Sequence, residues 1–269
     1  MKRNAFIALF LAITGVLFAG RPVFGQWLHH PTPGLPHNAS GQPILDGPAP
    51  HLSDGTPDLS GLWRSVQPAK RTTDSGAAFM NLENALVPGS AISMRPSAEA
   101  IYRERRRIES AGRPSERCLP HSIPDAMVIP GVPLKIVQSP GLTLILYEEF
   151  ARFRQIFTDG RQFPSDLNPA WMGSSVGKWE GDTLVVETRG FNDQSWLDDF
   201  GHPHTEALKT AERFHRINVG ELEVLITIDD PNSYTKPWTV KIDLRLLPDT
   251  DLIEDVCDNE RDHAHTIKQ

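Results

Sequence analysis

Trp238-Thr239-Val240-Lys241-Ile242-Asp243-Leu244-Arg245-Leu246 sets an apolar residue at every second position and a polar one between. Successive side chains of a strand point to opposite faces, so this stretch offers one face to a core and one to water. Leu222, Val224, Ile226 and Ile228 repeat the pattern just upstream. Working outward, the same reading gives strands at 134–138, 142–148, 153–158, 174–179, 183–188, 208–217 and 222–228, and a last one at 252–257. Turn residues divide them at Asp159-Gly160, Glu180-Gly181-Asp182, Val219-Gly220 and Pro248-Asp249-Thr250. Consecutive strands without helical crossovers pair antiparallel. The fold class is therefore mainly β: an antiparallel meander forming a barrel or a strongly curved sheet.

Ahead of the meander the periodicity fades. Asp58-Leu59-Ser60-Gly61-Leu62-Trp63 leads into a short strand in which Gly61 allows close packing under the Trp63 ring. Residues 65–95 show no period. One short helix is expected over 97–111, capped by Ser97 and ended by Gly112. Its Arg103, Arg105, Arg106 and Arg107 alternate with Glu99, Glu104 and Glu109, the pattern of a solvated surface. Residues 26–57 are rich in Pro, Gly and His and read as an irregular, flexible arm. A single β-rich domain then spans 58–260, and a charged tail follows at 261–269.

The first 25 residues form a signal peptide. Lys2 and Arg3 precede an apolar run from Ile7 to Ala19, and Val23-Phe24-Gly25 fits a cleavage site. The run is shorter than the roughly 20 residues needed to cross a bilayer. Cleavage near Gly25 implies a periplasmic or secreted bacterial protein with no membrane insertion afterwards. Losing Lys2, Arg3 and Arg21, and no acid, takes the net charge from −7 to −10, which disfavours nucleic acid as a partner. Cys118 and Cys257 are the only cysteines, and in an oxidising compartment they are expected to pair. The loop so closed has about 140 residues, worth at most about 5 kcal/mol in the chain-entropy model.

Several strands carry charge on both faces. Along 208–217, Leu208, Thr210, Glu212, Phe214 and Arg216 share one side, and Lys209, Ala211, Arg213, His215 and Ile217 the other. Arg152 and Arg154 share a face with Ile156. Two readings stand for such strands: cross-strand ion pairs on a wet outer face, or a polar lining to a cavity. The connection Trp196-Leu197-Asp198-Asp199-Phe200-Gly201-His202-Pro203-His204 gathers two histidines and two carboxylates. Asp198, His202 and His204 are its possible metal ligands, though no third-ligand motif stands out elsewhere and no metal is assigned. Asp229-Asp230-Pro231 lacks calcium-loop spacing and reads as a turn. There is no G-x-S-x-G, P-loop, G-x-G-x-x-G, H-E-x-x-H or C-x-x-C-H, so no cofactor is expected.

The set Asp58 to Trp63, Phe153 to Arg161, Trp171 to Thr188 and Thr227 to Pro231 resembles an uncharacterised family of exported bacterial proteins. The resemblance covers roughly residues 54 to 260 and brings no activity with it. Gly61-Leu62-Trp63 before an antiparallel meander also resembles the start of a lipocalin-like (calycin) barrel. That likeness implies an interior able to hold one small ligand.

The leading expectation is a barrel that binds a small, partly apolar molecule. Tyr147, Trp171 and Trp196 would supply contact area, and Glu148, Arg154, His204, Glu212 and Arg213 would orient a polar end. The alternative from another class is a cofactor-independent hydrolase, isomerase or cyclase. His204 with Glu148, Glu212 or Asp198 would then carry protons. A third is an envelope structural or assembly protein that uses the proline-rich arm as its contact. Oligomeric state is not encoded in any motif.

Overall fold

The structure is a computed structural model that describes residues 30–66, 70–71, 78–79 and 81–257. The signal peptide, its cleavage site and the tail at 261–269 lie outside the described residues. Nine strands close into a barrel: β1 (Gly61–Ser65), β4 (Pro133–Ser139), β5 (Leu142–Tyr147), β6 (Arg152–Phe157), β7 (Ser174–Glu180), β8 (Thr183–Arg189), β9 (Lys209–Asn218), β10 (Glu221–Asp229) and β11 (Trp238–Leu246). Two short strands, β2 (Lys70–Arg71) and β3 (Ala78–Phe79), pair with each other outside it.

The barrel is a meander with one exception. Every neighbouring pair is antiparallel except β6 and β7, joined in parallel through Ile156–Ser175 and Phe157–Val176. A closed ring of nine strands needs this. Strand direction must return to its start after one circuit, so the reversals must be even in number. The connection 158–173 supplies the odd joint by running back along the outside to the start of β7.

The strand expected at 252–257 does not form. Both edges of β4 are already paired, to β1 and to β5, so the closed barrel offers no edge for a further strand. The segment instead runs outside β4 and β5 on side-chain contacts: Lys135 Nζ reaches Asp251 at 2.7 Å, and Ile253 N donates to Glu148 Oε2 at 3.1 Å. Its end is held by the Cys118–Cys257 disulfide, with Cα atoms 5.6 Å apart. The helix α1 spans Pro96–Arg107 rather than 97–111. Pro96 takes the first helical position, where a missing N–H costs nothing, so Arg95 and not Ser97 is the cap residue. Glu109 and Ser110 both adopt positive φ and end the helix before Gly112.

Fully buried Ile145, Ile156, Val186, Val224, Ile226, Val240 and Ile242 fill the middle of the barrel from five strands. Gly61 is required where it stands: its φ is +145°, and a Cβ there would sit 2.6 Å from Leu246 Cδ1 and 3.3 Å from Trp63 Nε1. The two ends differ. At one, tight turns link β4–β5, β7–β8 and β9–β10, and residues 45–60 close the opening. Gly220 N donates to Leu45 O at 2.7 Å, and the inward Arg216 donates to Asp58 O at 2.6 Å while lying over the Trp63 ring. At the other end lie the connections 81–132, 148–151, 190–208 and 230–237. They are tied to one another: Arg95 N donates to Ser233 O, Leu82 N to Asp198 Oδ2, and Tyr234 OH to Pro203 O. Together they cover the opening.

Candidate functional site at the covered end of the barrel

Alternation decides what faces inward at this end. On β6 the inward residues are Arg154 and Ile156; on β9 they are Thr210, Glu212, Phe214 and Arg216. Arg154 therefore meets Glu212 across the lumen, in a bidentate pair with Nη1 to Oε1 at 2.9 Å and Nη2 to Oε2. Its Nε donates to Ser175 Oγ at 3.0 Å and Nη2 also to Thr188 Oγ1 at 2.7 Å. Burial disfavours the guanidinium, but Glu212 outweighs this and raises its pKa. A buried charge pair is tolerable only when its remaining hydrogen bonds are made, and Ser175 and Thr188 make them.

Above this pair the covering connections carry two histidine sites. His202 Nδ1 donates to Asp198 Oδ2 at 2.7 Å, and Asp198 also accepts from the backbone N–H of Leu82, Gly201 and His202. The ring stacks on Tyr102 with centroids 4.5 Å apart and lies 6.1 Å from Trp238. Burial opposes protonation of His202, yet Asp198, with Glu83 at 3.7 Å, lifts it to about 9. His204 is different. Its Nε2 lies 2.7 Å from Ser195 Oγ and its Nδ1 3.2 Å from Thr205 O. A carbonyl only accepts, so Nδ1 carries the proton and the Ser195 hydroxyl donates to Nε2. Burial lowers the His204 pKa, which keeps the ring neutral.

Five buried polar atoms have no hydrogen-bond partner among the described residues: Ser122 Oγ, Tyr147 OH, His202 Nε2, Thr210 Oγ1 and Trp238 Nε1. Three belong to the barrel wall. Tyr147 ends β5, Thr210 lies near the start of β9 and Trp238 begins β11, with both Thr210 and Trp238 opposite Ile228. The other two belong to the connections at the same end. Burial pushes the Tyr147 phenol up to about 12.

The residues expected to form a site divide by position. Tyr147, Arg154 and Glu212 share the inner wall at the covered end, and Asp198, His202 and His204 lie buried in the connection at that end. Trp196 is buried beneath the Arg105 guanidinium, 4.2 Å from it. Glu148 stands at the rim, Trp171 is half-buried in the 158–173 connection, and Arg213 lies on the outer wall paired with Glu180 at 3.0 Å. His202 and His204 bind different partners, so with Asp198 they do not converge on one point. Ser175, Thr188 and Ser195 escaped the sequence reading; inward alternation on β7 and β8 is the signal that marks the first two. The chain matches no protein-family model and no curated protein, so its resemblance to the exported family rests on the quoted motifs alone.

Proposed function

We propose that the protein is an exported barrel that binds a small, partly apolar molecule at its covered end, through carbonyl or carboxylate oxygens on that molecule. One observation carries this reading: five buried polar atoms stand without partners at that end. A stranded buried donor or acceptor costs about 1–3 kcal/mol, so an occupant that supplies the missing bonds is favoured. Trp238 Nε1–H can only donate, while the hydroxyls of Ser122, Tyr147 and Thr210 suit either role; His202 Nε2 already faces Glu83 Oε1 at 3.7 Å. Groups that can all donate suit acceptor oxygens. The aliphatic side chains below supply the apolar contact, and Arg154 with Glu212, already bonded to each other, shape the floor. The disulfide supports export, and no helix among the described residues is long and apolar enough to cross a membrane.

Native mass spectrometry of protein from its source should show a retained small molecule. A library of carboxylates and ketones should contain compounds that raise the melting temperature. Thr210→Val should reduce that rise while leaving the ligand-free protein within about 1 kcal/mol of wild type, because it is nearly isosteric and removes a hydroxyl that had no partner. The absence of both a retained molecule and a thermal shift in the wild type would overturn the reading.

A second reading has its own observation. The Ser195–His204 contact, with His204 neutral and oriented by Thr205 O, supports a barrel enzyme in which His204 moves a proton. In that case His204→Ala and Ser195→Ala should each abolish turnover while the melting temperature stays within a few degrees. Unchanged turnover in His204→Ala eliminates it.

A further inference from the structure

A second polar cluster, separate from the barrel wall, lies where the 118–130 loop meets the β5–β6 turn and the 190–208 connection. His121 Nδ1 is 2.6 Å from Glu149 Oε2. Its Nε2 faces two carboxylates at once, Asp199 Oδ1 at 3.4 Å and Asp125 Oδ2 at 3.5 Å. One ring nitrogen has one proton to give, and neither distance is that of a charge-assisted hydrogen bond, normally about 2.7–2.9 Å. Asp125 is only 3% exposed, and its charged contact among the described residues is His121 Nε2, at 3.5 Å. A buried carboxylate held by so long a contact can take a closer cation.

The charge balance points the same way. Three carboxylates surround one imidazole, and the nearby guanidinium of Arg113, 3.5 Å from Asp199, is shared with Glu116 at 2.8 Å.

We propose that His121 Nε2, Asp125 and Asp199 hold one first-row divalent ion of the Zn²⁺ or Mn²⁺ kind, with Glu149 as the carboxylate that orients the imidazole. One ligand atom from each of the three lies within 4.8 Å of the others, close enough for small movements to bring all three onto one ion. One nitrogen and two oxygens suit such an ion better than Ca²⁺, which prefers an all-oxygen set, or Cu⁺, which prefers sulfur. Glu149 on Nδ1 fixes the tautomer that turns the Nε2 lone pair toward the two carboxylates. Three protein ligands leave the remaining positions to water. The ligands come from distant parts of the chain, and the Cys118–Cys257 disulfide anchors the loop that carries two of them. The ion would join that loop to the 190–208 connection and so lock the cover of the barrel.

The test uses the full chain, disulfide intact, stripped with a chelator and titrated with ZnCl2 and separately MnCl2 by calorimetry, with bound metal counted by mass spectrometry. The expected result is one ion per chain for at least one of the two. His121→Ala and the nearly isosteric Asp199→Asn should lose that ion. Glu149→Gln should weaken binding about 10–100-fold, as outer-sphere partners of metal-bound histidines do. His37→Ala, remote in sequence and paired with Asp249 at 3.4 Å, should bind as wild type. If His121→Ala fails to fold, Asp199→Asn decides the matter on its own. Undiminished binding in Asp199→Asn, or failure of the wild type to bind either ion, overturns the proposal.

Discussion

β10 and β6 belong to one barrel and fill it in opposite ways. β10 turns Leu222, Val224, Ile226 and Ile228 inward, four aliphatic side chains that need only neighbours of the right volume. β6 turns Arg154 inward ahead of Ile156, and Arg154 needs partners from β7, β8 and β9 before it can be buried. The aliphatic wall is stabilised by removal from water, which is additive and forgiving. The polar corner is stabilised only as a complete set, so losing one member strands the others.

The largest effect should come from breaking that set. Glu212→Ala should cost about 3–5 kcal/mol in denaturant unfolding, because it leaves Arg154 charged and unpaired in a dry interior. The double variant Arg154→Met/Glu212→Leu should recover most of the loss. A cost below about 1 kcal/mol for the single variant would mean that water already reaches the corner, and the contrast between the walls would collapse.

Next in size is the pH dependence of the covering connection. His202 has its folded pKa raised to about 9, against 6.5 when unfolded. Its contribution is therefore complete below about pH 6.5 and is lost as the pH rises through 9. The loss amounts to up to about 3 kcal/mol. His202→Gln should flatten the fall in stability between pH 6.5 and 9 relative to wild type; identical slopes would show that the Asp198–His202 pair contributes nothing to the cover. Smallest is Ile242→Val in the aliphatic wall, about 0.5–1.5 kcal/mol by thermal or chemical unfolding. A loss as large as that of Glu212→Ala would erase the distinction drawn between the two walls.

How much was legible follows the same division. Strict alternation in Trp238–Leu246 and 222–228 fixes strand, face and register together, and both strands lie where the alternation puts them. The strand reading of 252–257 misled, because residue type alone cannot know that closure leaves no free edge. For the candidate site, the sequence drew attention to Asp198, Asp199, His202 and His204 as one group. Folding separates them: Asp198 with His202, His204 with Ser195, and Asp199 with His121 and Asp125. The His121-x-x-x-Asp125 spacing was readable, but nothing local joins it to Asp199, 74 positions further on by residue number.

By itself the sequence determined the strand content, the inward and outward faces, the pairing of Cys118 with Cys257 and the close packing at Gly61, because each depends on residue type and short-range geometry. Tertiary structure alone decided that the sheet closes with one parallel joint, that Arg154 meets Glu212 inside it, and that carboxylates from three separate segments surround His121. Those contacts span a curved lumen or join loops far apart along the chain, and such distances are set by how many strands close the ring, which no local pattern records.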